Sequence, residues 1–154
     1  MSSTAPNPPL GLAILRVVTA IVFIAHGATK LFGGGVAGTG EFFANLGIPL
    51  AGLAAWGITF LEFFGGLALL AGVLVTPIAV LLAIHMLAGI VLVHAANGFF
   101  VIGPGQGGIE LNLLLIAALL TLVFAGPGAA ALGGRRRGDL IEARDSADAG
   151  GDRR

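Results

Sequence analysis

Four long apolar stretches occupy most of this chain, and each is about 18–25 residues long. A helix of this length crosses the roughly 30 Å of hydrocarbon in a bilayer. The sequence therefore predicts an all-α protein, a four-helix transmembrane bundle whose membrane domain covers residues 10–128. The predicted spans are Leu10–Phe32, Leu50–Leu74, Pro77–Ala96 and Ile109–Gly126.

Composition argues against the two other classes of fold. The chain is 56% hydrophobic and 10% charged, whereas a soluble domain carries about 25% charge. A soluble bundle also needs a polar stripe on each helix, and Ala51–Leu74 offers almost none. An outer-membrane barrel needs apolar residues at every second position, a pattern that is absent here.

The two ends of the chain differ in charge. Residues 1–9 form a polar lead, and we expect the first span to be retained because this lead has no basic residue. Residues 129–154 form a charged tail, predicted to be disordered, which holds eleven of the sixteen charged residues. Arg135–Arg137 directly follow the last span, so the positive-inside rule predicts a cytoplasmic C-terminus. With four spans both termini are cytoplasmic, and Lys30 is one charge against this orientation.

Two long connections and one short one join the predicted spans. Gly33–Pro49 is predicted to be a glycine-rich loop whose amphipathic fragment Glu41–Leu46 lies at the membrane interface. Asn97–Gly108 is the second long loop, and both loops then face outward. The short link at residues 75–77 forces spans 2 and 3 into an antiparallel hairpin.

Ionisable side chains inside a span are costly and usually face the interior of a bundle. At 1.5 Å per residue, Glu62 lies near the midplane, and Arg16 and His85 lie at similar heights. We therefore expect an intramembrane Arg16–Glu62 pair with His85 nearby. Glu62 and His85 are the candidates for catalysis, although a purely structural ion pair and a simple interhelical hydrogen bond explain them equally well.

A second set of polar residues is predicted near the outer boundary, where it could line a pocket that opens outward. Simpler roles exist for several members: Lys30 could extend to the interface, and Glu110 suits a helix N-terminus without any function. The set comprises His26, Lys30, His94, Asn97 and Glu110.

Metal and cofactor sites find little support in the sequence. The chain has no cysteine, which excludes thiolate ligands and a thiol–disulfide relay carried by this chain. His85 and His94 are nine residues apart, about 180° of rotation on a straight helix, so they cannot share one metal. No metal site is expected, haem is disfavoured, and no basic surface for nucleic acid is present.

Five segments in a fixed order resemble the DoxX family of small bacterial four-helix membrane proteins. The resemblance covers roughly Leu10–Pro127 and excludes the tail. The segments are LRVV around Arg16, HGATKLFG within Ala25–Gly33, FFANLGIP at Phe42–Pro49, LEFFGGLALLAGVL at Leu61–Leu74 and HMLAGIVLVHAANGFF at His85–Phe100.

The resemblance implies an inner-membrane protein linked to redox chemistry, at most the membrane subunit of a quinone-linked oxidoreductase. It implies an auxiliary subunit of a redox or oxidant-defence complex that contacts the quinone pool, with quinone as the possible cofactor. A soluble or membrane redox partner and a homo-oligomer are both compatible with it. The alternatives are a non-catalytic scaffold for a soluble enzyme and, ranked last, a small transporter. Six residues fall on the family's recurrent polar positions: Arg16, His26, Lys30, Glu62, His94 and Asn97.

Overall fold

The computed structural model describes residues 7–103 and 107–133, and in these ranges the secondary structure is entirely helical. The helices are α1 (Pro8–Phe32), α2 (Gly35–Asn45), α3 (Ala51–Ala71), α4 (Val75–Gly89) and α5 (Glu110–Ala125). A π-helical turn, Ile90–His94, and a 3-10 turn, Ala95–Asn97, continue α4. The predicted tail lies outside the described residues from position 134 onward.

Three helical stretches are long and apolar enough to cross a membrane: Pro8–Phe32, Ala51–Ala71 and Val75–Asn97. The fourth apolar helix, Glu110–Ala125, has 16 residues. Many large apolar side chains on these helices are exposed, such as Leu53 at 70% and Phe124 at 85%. Exposed apolar surface of this extent suits hydrocarbon as the surrounding medium.

Local chemistry sets the helix ends. Asn7 caps α1 by accepting a hydrogen bond from the Leu10 amide at 3.2 Å, and proline occupies the first turn, where its missing N–H is harmless. Gly72 ends α3 in the left-handed conformation, at φ 70°. The link from α3 to α4 is therefore residues 72–74, a few residues before the predicted link, and α3 ends earlier than Leu74.

Helix α2 corrects the prediction that residues 33–49 form a loop with only a short amphipathic fragment. Glycines at positions 35, 38 and 40 lower its helix propensity, which is why the sequence suggested a loop. Packing against α3 offsets that loss: a methyl group at Gly40 would lie 3.5 Å from the α-carbon of Gly52. Tertiary contact thus makes this segment helical.

The α1–α3 interface is close and antiparallel. A methyl group at Gly66 would lie 2.8 Å from Cγ1 of Ile24 and 2.9 Å from its backbone nitrogen. Gly27 on α1 faces the backbone of Phe63 in the same way. Small residues permit this approach of two helices in a membrane protein, and it fixes which side chains meet across the interface.

The core between the helices is apolar, and a final segment closes one end of the bundle. The fully buried side chains include Phe23, Leu69, Leu82, Leu119 and Leu122. Residues 126–133 follow α5 and are ordered, with the Ala129 amide donating to Pro9 O at 2.8 Å and the Leu132 amide to Ala71 O at 3.2 Å. The described structure therefore extends five residues beyond the predicted end of the membrane domain at 128.

Candidate functional site

Glu62 is buried on α3, where three helices meet, and its carboxylate has two partners. Oε1 accepts a hydrogen bond from Nε2 of His85 at 3.0 Å, and Oε2 forms an ion pair with Nζ of Lys30. The Glu62 side chain is 4% exposed, whereas Lys30 and His85 are 23% and 15% exposed. The carboxylate thus lies behind a lysine and a histidine that remain partly accessible.

The predicted Arg16–Glu62 pair does not form in the structure. Gly27 of α1 faces Phe63 of α3, and Ile24 faces Gly66. Because the two helices are antiparallel, Arg16 lies level with about residue 74. That level is some twelve residues from Glu62, or about 18 Å along the helix axis. The Arg16 guanidinium is buried and donates instead to Pro127 O at 2.5 Å and Ala129 O at 3.3 Å. Its Nε has no partner among the described residues.

Lys30 lines the cavity, as its place among the predicted pocket residues allowed, but its pairing with Glu62 was not predicted. The prediction placed it at the outer interface because it lies at the end of span 1. In the structure the last residue of α1 lies level with about residue 58 of α3. This level is roughly 10 Å along the helix axis from the first residue of α3. Lys30 therefore reaches the level of Glu62, and α2 occupies the space beyond it.

A cavity of about 350 Å³ opens beside the Glu62 carboxylate. Its volume lies at the lower end of the range for small-molecule sites. Helix α2 contributes aromatic and aliphatic walls that the sequence analysis did not assign to a site; the amphipathic pattern around Phe42 and Phe43 was their only signal. The polar lining residues are His26, Lys30, Thr39, Glu62, His85 and His94, and the apolar ones include Phe42, Phe43, Leu46, Ile58 and Leu92.

His85 and His94 line this one cavity although they are nine residues apart. The expected 180° separation assumed a straight α-helix, and the π-turn Ile90–His94 breaks that assumption. A π-turn accommodates one extra residue, so the two histidines are related as if eight residues apart, about 80° of rotation. Asn112 supports the turn by donating to Met86 O at 3.2 Å, and Gly89 leaves room for its amide.

The remaining predicted residues divide between the cavity and the loop above it. His26 lines the cavity, whereas Asn97 ends the 3-10 turn and Glu110 begins α5, so these two residues flank the loop between the helices. Nδ1 of His94 donates to Gly107 O at 2.5 Å, and Oε1 of Glu110 accepts from the Val101 amide at 3.0 Å. These contacts fold the loop back onto the helix that carries His94.

The described residues contain no group of three histidine or acidic side chains placed to hold a metal ion. Within residues 7–103 and 107–133, the chemistry of the site is thus an ion pair, a hydrogen-bonded histidine and two further histidines in an apolar cavity. Such a site can bind a small molecule by its polar group and cover the remainder with apolar walls.

Comparison with protein families matches residues 11–95 to the family described as DoxX. Among individual proteins, "Putative oxidoreductase CatD" of Bacillus subtilis (strain 168) is 30% identical over 117 residues, covering 76% of this chain and 80% of that protein. "Inner membrane protein YphA" of Escherichia coli (strain K12) is 30% identical over 126 residues, covering 80% and 89%. "Inner membrane protein YqjF" of the same organism is 32% identical over 120 residues, covering 78% and 87%.

No solved structure is significantly similar to this chain. The relatives with inner-membrane names, together with the apolar helices, identify a bacterial membrane protein embedded in the lipid bilayer.

Proposed function

Because the chain belongs to the DoxX family of bacterial membrane proteins, we propose that it is the membrane subunit of a redox complex and binds a quinone in the cavity beside Glu62. The observation that carries this proposal is the placement of Lys30, Glu62 and His85 on one wall of an otherwise apolar cavity. The oxidoreductase name of the Bacillus relative supports the same chemistry.

The residues present fit a quinone head group. A quinone is a neutral ring, and the Lys30–Glu62 pair leaves this wall without net charge when His85 is neutral. The Lys30 ammonium has three donors, so it can donate to a ring oxygen while it also contacts Glu62. Phe42, Phe43 and Leu92 supply the apolar walls that a ring and its tail require.

The electrons must come from elsewhere, so the proposal includes a partner. The chain has no cysteine and thus no thiol relay or cysteine-bound cluster of its own. A soluble or membrane oxidoreductase would deliver two electrons to the quinone, which takes up two protons and becomes the quinol. Glu62 and His85 are the candidates for proton exchange at this step.

Quinone retention tests the proposal. The protein is purified in mild detergent with added ubiquinone, and its oxidised-minus-reduced spectrum is recorded in the ultraviolet. We expect about one quinone per wild-type chain and roughly ten-fold less in Glu62→Gln. The change removes the carboxylate that holds Lys30 and His85 in place at the cavity wall. Glu41→Gln is the matched control, since Glu41 is exposed on α2 and does not line the cavity. Folded wild-type protein without a quinone signal would contradict the proposal.

A scaffold for a soluble enzyme is the second candidate function. The buried Arg16 guanidinium fixes residues 126–133, the segment that leads into the charged tail, at one end of the bundle. On this alternative the tail or the outer loop recruits the enzyme. A protein that co-purifies with the full chain and is lost on deletion of Gly133–Arg154 would favour this alternative.

We also propose that α5 is a fourth span and that both termini are cytoplasmic. Arg135–Arg137 follow α5 closely, and Lys or Arg beside a span favours the cytoplasmic side. A chain without cysteine allows a direct test with single cysteines. We expect Ile102→Cys to react with an impermeant maleimide in intact cells and Leu132→Cys to react only after lysis, since both positions are exposed.

A further inference from the structure

Helix α2 forms one wall of the cavity, yet it buries none of its own residues. Its contribution to the lining is four side chains, Thr39, Phe42, Phe43 and Leu46. None of its eleven residues, all of which the structure describes, is buried, whereas α1, α3, α4 and α5 each bury at least three. Opening of α2 would therefore expose the cavity at little cost in buried surface.

The backbone of α2 gives the helix little stability of its own. Its eleven residues are fewer than the about 12–15 that an isolated helix needs in water, and glycines at positions 35, 38 and 40 lower its propensity further. Left-handed glycines flank it on both sides, Gly34 at φ 73° and Gly47 at φ 74°. Because glycine adopts positive and negative φ about equally readily, these two positions can change conformation when α2 leaves α3.

Contact with the first turns of α3 holds α2 in place. A methyl group at Gly40 would lie 3.5 Å from Cα of Gly52 and 3.8 Å from Cβ of Ala55, and α3 begins at Ala51. Helix α2 therefore lies beside one end of a membrane-spanning helix, where headgroups and water can bond the amides of α2 after it opens. Local unfolding of α2 thus leaves no unpaired backbone group in hydrocarbon.

From this geometry we infer that α2 is a lid, which unfolds locally between Gly34 and Gly47 and thereby controls access to the cavity. In the closed state, which the structure shows, side chains of α2 line the cavity together with Lys30, Glu62 and His85. The inference concerns access to the site and holds for whichever ligand binds there, so it does not depend on the proposed quinone.

The first test measures opening of α2 by amide hydrogen exchange of the full chain in lipid nanodiscs. We expect the amides of α2 to exchange faster than those in the middle of α3. Gly38→Ala should slow exchange throughout α2 about five-fold, the usual advantage of alanine over glycine in a helix, since a methyl group at Gly38 meets nothing within 4 Å.

Gly11→Ala on α1 is the matched control for Gly38→Ala, because a methyl group at Gly11 also meets nothing within 4 Å. It should leave exchange in α2 unchanged. Exchange in α2 that is as slow as in the middle of α3, or that does not respond to Gly38→Ala, would overturn the inference.

The second test fixes α2 on α3 with a disulfide. The chain has no cysteine, and the 3.8 Å between a Cβ at Gly40 and Cβ of Ala55 lies within the range of about 3.5–4.5 Å found in disulfides. Oxidation of Gly40→Cys/Ala55→Cys should therefore hold the lid closed, and a reductant should release it. The readout is the rate at which diethyl pyrocarbonate modifies His85, which lines the cavity, with the modified residue located by mass spectrometry.

We expect His85 to be modified at least about ten-fold more slowly in the oxidised than in the reduced double variant, because the cross-link opposes opening of α2. Gly40→Cys alone, treated with the same oxidant, is the control and should keep the rate of the reduced protein. Gly38→Ala gives a comparison without cysteines and should slow the modification about five-fold relative to wild type.

The outcomes separate the lid from the proposed function. Equal rates of His85 modification in the oxidised and reduced double variants, whether fast or undetectable, would overturn the lid and leave quinone binding as it is. Absence of a bound quinone would contradict the proposed function and leave the expected exchange and modification rates unchanged.

Discussion

Lys30 on α1 and Glu62 on α3 form an ion pair beside the cavity, at the level where α1 ends. The pair is possible because glycines at positions 27 and 66 bring the two helices close together. His85 joins from α4 through the second carboxylate oxygen. One carboxylate therefore connects three helices, and its loss should affect both stability and ligand binding.

Removing the negative member of the Lys30–Glu62 pair should destabilise the protein more than removing both charges. Glu62→Gln leaves the Lys30 ammonium without its counter-ion. We expect the free energy of unfolding to fall by about 3 kcal/mol. This is the lower end of the range for a buried pair, because the Lys30 side chain is 23% exposed. The double variant Lys30→Met/Glu62→Gln should recover part of that loss. Unfolding of the detergent-solubilised protein in SDS measures each value.

Glu41→Gln is again the matched control and should change stability by less than about 0.5 kcal/mol, as most surface substitutions do. If the double variant is less stable than Glu62→Gln, the lysine does not depend on the carboxylate as the structure indicates.

Close approach of α1 and α3 should make Gly66 intolerant of even one methyl group. In Gly66→Ala the added methyl would lie 2.8 Å from Cγ1 of Ile24 and 2.9 Å from its backbone nitrogen, so the helices must separate. We expect the free energy of unfolding to fall by about 1–3 kcal/mol. Gly57→Ala on the same helix meets nothing within 4 Å and should be neutral or slightly stabilising. Thermal unfolding of the two variants measures this difference in stability. Equal melting temperatures for Gly66→Ala and Gly57→Ala would refute the prediction.

Much of the fold follows from the sequence because lipid imposes simple lengths. The predicted spans agree to within a few residues with α1, α3 and α5, and with α4 taken together with the two turns that continue it to Asn97. Helix α2 was missed because its glycines hide a helix that forms only by packing on α3. The prediction placed Glu62 and His85 near each other, as they are in the structure. It paired Glu62 with Arg16 because it counted depth from the ends of the spans and so assumed that α1 and α3 begin and end at the same membrane depths.

The π-turn could not be read from the sequence either. Nothing in Ile90–His94 distinguishes an α-helical from a π-helical turn by hydrophobic pattern, since all positions but the last are apolar. A side chain of another helix lies beside its start: Asn112 of α5 donates a hydrogen bond to Met86 O, one turn before Ile90. Contacts between segments distant in sequence account for α2 and for the level of Lys30, two features that the prediction lacked.

Arg16 should hold the segment after α5 in place without affecting the cavity. Arg16→Met keeps the apolar stem of the side chain and removes both hydrogen bonds to Pro127 O and Ala129 O. We expect amide hydrogen exchange at Ala129 and Leu132 to become at least about ten-fold faster, because local opening no longer breaks those two bonds. The measurement is exchange followed by NMR or mass spectrometry.

Exchange in the loop at Gly107 and Gly108, beside the other end of the bundle, serves as the internal control for Arg16→Met and should not change. Faster exchange at both places would indicate general destabilisation instead of release of this segment.

The π-turn should tolerate loss of one residue where a regular helix does not. Deletion of Val91, which is 67% exposed, removes the extra residue and converts the turn to α-helix. His94 then keeps the rotational position about the helix axis at which it lines the cavity. Deletion of Leu81 in the regular part of α4 rotates every later residue by about 100° and should prevent folding. We expect monodisperse protein and slow exchange at Gly107 for the first deletion only. Loss of the fold in both deletions would show that the π-turn is not the element that sets the position of His94.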